Sequence, residues 1–304
     1  MEIQARRRGQ RTYYYLTQSY REDGRVRKIE KYLGTSVPKD VDPLKAELRQ
    51  ELFSRQFEPA LAKSRQRYLG NLRKMPKSIR DKELETFATR FTYDSNRIEG
   101  SSLTFRETAL LLVDGVTPTN RPLSDVQETL AHQRAFLEAL RQTPELSLET
   151  LLAWHLALFR ATKPHLAGKI RNYGVKIAVS HFVPPTPVEL DFLLQDFFDW
   201  IKVAWKDLHP VVLAALVHLK LVTIHPFGDG NGRVTRIAMN FVLYRKRYPM
   251  IDIPYTRRAG YYRALEQSQV RKDETVFVRW FLRRYLEQNS AAVTTPRRVG
   301  RDNL

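Results

Sequence analysis

His225-Pro226-Phe227-Gly228-Asp229-Gly230-Asn231-Gly232-Arg233-Val234-Thr235-Arg236 joins two helical patterns in this chain of 304 residues. Before it, residues 210–224 are almost wholly apolar, with Pro210 suited to a first helical turn. After it, residues 231–248 carry a second helical period. The glycine-rich loop therefore ends on a helix N-terminus, where unpaired N–H groups and the positive end of the helix dipole favour an anion. Gly228, Gly230 and Gly232 let the backbone come close to such a ligand. Arg233 and Arg236 lie three apart in the first turn and can grip a polyphosphate. Asp229, the lone carboxylate of the loop, is a hard oxygen donor of the kind Mg²⁺ takes beside phosphates. His225 titrates near neutrality and can accept a proton from an incoming hydroxyl. Single residues admit blander readings: a packed histidine, a His218 and His225 metal pair without a clear third ligand, or a flexible turn. The twelve together favour a phosphate site, and the P-loop pattern G-x-x-x-x-G-K-[ST] is absent.

Outward from the loop the body reads as mainly α. Helical patterns cover 43–69, 82–98, 104–113, 124–142, 147–159, 188–206, 260–271 and 275–287. Thr104-Phe105-Arg106-Glu107 fits a capping box. Between 169 and 185 the texture changes: Val175-Lys176-Ile177-Ala178-Val179, with Gly174 before and Pro184-Pro185 after, predicts a short hairpin inserted among helices. At the other end, residues 11–21 and 25–33 flank Glu22-Asp23-Gly24 and predict a β-hairpin. The expected divisions are a basic hairpin appendage (1–42), a helical N-terminal region (43–81), a core (82–290) and a basic tail (291–304).

The 51 Lys and Arg against 33 Asp and Glu give a net charge of +18, a field that attracts phosphate-bearing partners. Residues 1–34 mix nine of these cations with several tyrosines, a composition suited to nucleic acid, although an edge hairpin kept soluble by charge is the commoner case. With no cysteine the chain has no thiolate chemistry and no Cys-based zinc site. No apolar run reaches the ~18–20 residues that span a bilayer, and residues 1–10 lack an apolar signal segment, so a cytoplasmic protein without membrane partners is expected.

The loop resembles, position for position, the Fic (Fido) family signature H-P-F-x-[DE]-G-N-G-R-x-x-R. The resemblance implies a Fic-type helical bundle over about 82–287 with a β-hairpin flap, plus the small N-terminal hairpin. It implies a protein adenylyltransferase: His225 as general base for a Ser, Thr or Tyr hydroxyl attacking the α-phosphate of ATP, with pyrophosphate leaving. Asp229 would hold Mg²⁺; Gly228, Gly230, Asn231, Gly232, Arg233 and Arg236 would bind phosphates; Tyr261 and Tyr262 would line the base pocket. A target protein would dock by strand addition on the flap residues Lys176, Ile177, Ala178, Val179, Ser180 and His181. Members of the family often dimerise, so a homodimer is implied without a face.

A second motif, Ser95-Asn96-Arg97-Ile98-Glu99-Gly100, resembles the inhibitory pattern [ST]-x-x-x-E-[GN] of one class of that family. By that resemblance Ser95, Glu99 and Gly100 belong to an inhibitory helix, with Glu99 pairing Arg236 and taking the place of a phosphate. In some relatives the equivalent glutamate supports hydrolytic removal of AMP, which leaves a reverse activity open. A nucleic-acid-associated regulator using the N-terminal segment is the alternative from another class.

Overall fold

A computed structural model describes residues 1–22, 24–142, 145–177 and 180–290, without the side chains of 21, 22, 142 and 290. The chain divides into two compact units, 1–66 and 67–304. In the first, β1 (Glu2–Arg8), β2 (Arg11–Glu22) and β3 (Arg25–Gly34) form one antiparallel sheet in the order β1-β2-β3. The expected hairpin is thus the β2-β3 pair, and β1 adds a third strand. β1 turns into β2 through Gly9-Gln10, with Gly9 at φ 60, where a two-residue hairpin loop needs a left-handed residue. Helix α1 (Asp42–Gln56) covers one sheet face, burying Leu48 and Leu52 against Leu16 and Ile29. A two-stranded hairpin is marginal in water; the third strand and the covering helix supply the missing apolar burial.

The helix expected over 43–69 is two helices, α1 and α2 (Glu58–Lys74). Pro59 stands in the first turn of α2 without an N–H to continue α1, so the chain restarts there.

The larger unit contains α3 (Lys77–Ile98), α4 (Phe105–Val113), α5 (Leu123–Gln142), α6 (Leu148–Phe159), α7 (Leu190–Asp207), α8 (Pro210–Ile224), α9 (Asn231–Arg245), α10 (Arg258–Arg271) and α11 (Glu274–Ser290). The capping box at Thr104 forms with both of its bonds, Glu107 N–H to Thr104 Oγ1 at 3.2 Å and Thr104 N–H to Glu107 Oε2 at 2.8 Å. Helix α8 is apolar on every side and is correspondingly enclosed, by α7, α9 and α11; α9 also meets α3, α5 and α6. The α9 pattern was expected to reach 248 but stops at Arg245, because Arg247 turns left-handed at φ 58 and Tyr248 N–H caps Leu243 O at 2.8 Å.

The hairpin expected near 175–179 is not paired as strands among the described residues, whose single sheet is the N-terminal one. Ala178 and Val179 lie outside the described residues; on either side, Ser180 N–H meets Ile177 O at 3.2 Å as in a turn. The expected tail, 291–304, also lies outside the described residues. Among the described residues no helix is long and apolar enough to cross a membrane.

Candidate active site

Helix α8 ends on His225, which caps it in the left-handed conformation (φ 53, ψ 56). A non-glycine residue there costs on the order of 1 kcal/mol and is held by its surroundings. Arg171, almost fully buried, supplies much of that hold: its Nε donates to His225 O at 2.8 Å and its Nη1 to Tyr173 O at 2.8 Å. Its remaining Nη2 donates to Pro185 O at 2.6 Å, and its backbone N–H to Pro226 O at 2.9 Å. The loop and both ends of the 173–185 segment, Tyr173 and Pro185, are therefore held by one guanidinium.

His225 Nδ1 lies 3.2 Å from Val222 O, so the ring proton belongs on Nδ1 and Nε2 keeps its lone pair. Burial, with Arg171 nearby, pushes the His225 pKa below its ordinary value against the opposing effect of Val222 O, Glu99 and Asp229. The imidazole is neutral at pH 7 and ready to take a proton.

The loop is closed on itself. Asn231 Oδ1 accepts from Phe227 N–H at 2.9 Å and Asn231 Nδ2 donates to Phe227 O at 2.8 Å, which commits the Asn231 side chain to the loop and leaves only its backbone N–H for an anion. The Phe227 ring stacks on His155 with centroids 4.0 Å apart. His155 Nδ1 accepts from Gly168 N–H at 2.9 Å and its Nε2 therefore donates to Asp229 O at 3.0 Å; burial lowers its pKa to about 4, so it is a neutral strut. Gly230, at φ 77, opens α9, and a side chain there would fall 2.3 Å from the Phe159 ring. Val234 is the first residue of α9 whose N–H reaches a carbonyl, Gly230 O at 3.0 Å, so the N–H groups of Asn231, Gly232 and Arg233 are open donors.

Above them lie the ions. Arg233 pairs with Glu128, reaches Asp229 Oδ1 at 3.3 Å and stands 4.5 Å over the Phe159 ring. Lys163 Nζ bonds Asp229 Oδ2 at 2.7 Å and Glu128 Oε1 at 3.1 Å. Partial burial would raise the Asp229 pKa, but Arg233 and Lys163 outweigh it and keep the carboxylate ionised. Asn96, Glu99, Glu128, Lys163, Asp229 and Arg233 line one polar cavity of about 180 Å³.

Arg236 is 1% exposed and spends its donors on the end of α3: Nε on Ser95 Oγ (3.0 Å), Nη2 on Ser95 O (3.0 Å) and on Glu99 Oε1 (2.6 Å). Burial alone would lower its pKa; the Glu99 carboxylate reverses this and raises it. Glu99 Oε1 also sits where a Cβ on Gly232 would be, 2.2 Å from that position, which puts a carboxylate directly over the open N-terminus of α9. Gly100, at φ 99, turns the chain away from α3 after Glu99. Behind Ser95, the buried His132 links Ser95 Oγ (3.1 Å) to Thr92 Oγ1 (3.0 Å), its pKa held well below normal by burial and by Arg236.

Tyr261 is buried, with its hydroxyl 3.4 Å from Arg236 Nη1 and 2.9 Å from His218 Nε2, and burial raises its pKa to about 12. His218 is thus held in the core by Tyr261 and by stacking on Phe277. Tyr262 donates to Ile98 O at 3.0 Å, beside Glu99. Tyr262 thus touches the end of α3, and Tyr261 touches Arg236. Of the predicted docking residues, Ser180 Oγ and His181 N–H bond Glu266 Oε1 (3.3 and 2.7 Å), while Lys176 is exposed and Ile177 partly so.

The loop residues and Ser95 and Glu99 are thus brought to one place from 125 residues or more apart. Sequence reasoning did not find Glu128, Lys163, Arg171, His132 or His155, which reach the site from other helices and loops. Among them only the clustering of His155 and Lys163 just before the 169–185 change of texture hints at a site.

Residues 145–243 match the family model described as Fic/DOC family. Among curated relatives, Protein adenylyltransferase Fic of Drosophila willistoni is 36% identical over 178 residues, 57% of this chain and 35% of the relative. The protein of that name from Nematostella vectensis is 31% identical over 196 residues, 63% of this chain and 45% of the relative. The chain spans less than half the length of these relatives. Among solved structures, a Fic domain containing signaling protein from Bacteroides thetaiotaomicron superposes with TM-score 0.69 at 27% identity, covering 76% of this chain and 94% of the other. A Fic-1 fragment from C. elegans gives TM-score 0.67 at 25% identity, over 82% of this chain and 72% of the fragment.

Proposed function

Residues 145–243 are a domain of the Fic/DOC family, and on that premise we propose that the chain transfers AMP from ATP to a Ser, Thr or Tyr hydroxyl of a target protein. The observation that carries this is the neutral His225, its Nε2 lone pair free, beside the open N–H groups of α9 and two arginines. The target hydroxyl oxygen attacks the α-phosphorus and passes its proton to His225 Nε2. The bond from the α-phosphorus to the bridging oxygen breaks, and pyrophosphate carries that electron pair away. The N–H groups of Asn231, Gly232 and Arg233 and the Arg233 guanidinium face the charge that develops on phosphate.

The donor set fits Mg²⁺: Asp229 is a single hard carboxylate, 36% exposed, facing the cavity where phosphates would supply the other oxygens. An ion held by Asp229 would neutralise phosphate charge. Target docking along 176–181, anchored by Glu266, and the ATP base beside Tyr261 and Tyr262 complete the proposal. The Glu99 to Arg236 bond makes the resting state inhibited, because the triphosphate needs the guanidinium and the helix terminus that Glu99 occupies. Hydrolytic removal of AMP is a second reading, favoured by the Glu99 carboxylate lining the same cavity as Asp229.

The test is incubation of wild type, Glu99→Gly and His225→Ala with Mg²⁺ and α-³²P-ATP plus a lysate as target source. Label strong in Glu99→Gly, weak in wild type and lost in His225→Ala is expected. No label in any of the three would end the transfer proposal.

A further inference from the structure

The sheet of residues 2–34 has one face under α1 and another whose composition the fold does not explain. Strand alternation from Leu16, which is in the core, places Gln4, Arg6, Arg8, Arg11, Tyr13, Tyr15, Lys28, Glu30 and Tyr32 on the opposite face. The three tyrosine rings gather across β2 and β3: Tyr32 lies 5.4 Å from Tyr15 and 6.2 Å from Tyr13, in tilted pairs. Arg6 stands 4.4 Å over the Tyr15 ring and ties its other side to Glu30. Tyr32 is 53% exposed, so much of its ring is open to a ligand. Next to the rings, at the β1-β2 turn, Arg8 and Arg11 face each other across the hairpin, both exposed and without an ion pair among the described residues. Glu2 and Glu30 are the acids of this face; they share one cross-strand row on the far side of the rings from Arg8 and Arg11, and Arg6 pairs with Glu30.

We propose that this face binds single-stranded nucleic acid, with bases stacking on Tyr32 and its neighbours Tyr13 and Tyr15 and the backbone running along Arg8 and Arg11. The rings favour this ligand over an acidic peptide: every base offers a π-face, whereas the carboxylates of such a peptide would use the arginines alone. They also distinguish it from a duplex, whose bases are already stacked on each other. The proposal is independent of AMP transfer, since no residue of the candidate active site takes part.

The test uses the full chain and fluorescence anisotropy with fluorescein-labelled 20-nucleotide single-stranded RNA, single-stranded DNA and the corresponding duplex, from 50 to 200 mM salt. Two phosphate contacts predict a logarithmic salt slope of about −1.4 on single strands, or about a 7-fold loss of affinity over that range. Tyr32→Thr, which keeps a good strand former, is expected to weaken single-strand binding about tenfold at every salt without changing the slope. Arg8→Gln with Arg11→Gln is expected to reduce the slope by about 1.4. Comparison of the RNA and DNA arms tells which strand is preferred. Absence of single-strand binding at 50 mM salt overturns the proposal. So does binding that Tyr32→Thr leaves unchanged, or equal affinity for duplex or heparin, either of which would make the face a general polyanion surface. Circular dichroism of each variant separates lost binding from a lost fold.

Discussion

Replacing Glu99 by glutamine removes one charge and little volume from its contact with Arg236. Arg236 keeps its bonds to Ser95 Oγ, Ser95 O and Tyr261, but loses the counter-charge now 2.6 Å away in a place where the guanidinium is 1% exposed. Hydrogen bonds between charged groups contribute about 1.5–3 kcal/mol each, and a neutral amide recovers part of that, so a loss of about 2 kcal/mol is expected. At about 2–4 °C per kcal/mol for a unit of this size, the unliganded variant should melt about 4–8 °C lower. A triphosphate brings negative charge back to Arg236. In wild type it has first to displace Glu99, so the same 2 kcal/mol should make ATP bind about 30-fold more tightly to Glu99→Gln. Thermal melts with and without Mg²⁺-ATP read both effects: a lower starting point for the variant and a larger rise with nucleotide. Equal melting points together with equal ATP-induced rises would show that Glu99 and the nucleotide do not compete for Arg236.

Because burial depresses the folded His225 pKa, the base should stay neutral to lower pH than a free imidazole: in Glu99→Gly, labelling should be level around pH 7 and fall only as pH drops below about 6.5, and an acid limb centred above pH 7 would contradict this. Gly232→Ala places a methyl 2.2 Å from the present position of Glu99 Oε1, so it should move the glutamate yet gain no transfer activity, since the methyl fills the anion position itself; a gain like that of Glu99→Gly would show that phosphate does not sit there. Leu16→Ala in the small core under α1 should cost about 2–5 kcal/mol and release residues 1–66 to limited proteolysis before 67–290, a result read by mass spectrometry of the first fragments.

The parts of the molecule that could be read from the chain are those whose causes are local. The capping box at Thr104, the proline start of α8 and the loop from His225 to Arg236 each lie within a few consecutive residues, and each stands where expected. The pairing of Ser95 and Glu99 with Arg236 was legible only through the resemblance of two short motifs, because nothing within either motif specifies a partner 137 residues away. Strand β1 escaped notice since Glu-Ile-Gln-Ala-Arg-Arg-Arg alternates only through Ile3 and Ala5 before a run of arginines; its neighbour β2, not its own propensity, makes it a strand. The break at Phe57 was available in Pro59 and was masked by helical periodicity on both sides. Lys163, Glu128 and Arg171 are of commonplace types, and only the three-dimensional meeting of α5, α6 and the α8-α9 loop gives them a role.

The ring that Asn231 closes on Phe227, with Arg171 and His155 bracing it on either side, also bears on the thermodynamics of binding. Fixing a residue's backbone takes about 1–2 kcal/mol of entropy, so the six residues 225–230 represent on the order of 6–12 kcal/mol of ordering. That ordering is complete before any ligand arrives, as part of folding. Nucleotide association should therefore show little of the heat-capacity and entropy signature of a loop that folds around its ligand. Adaptation to different partners has then to come from outside this ring.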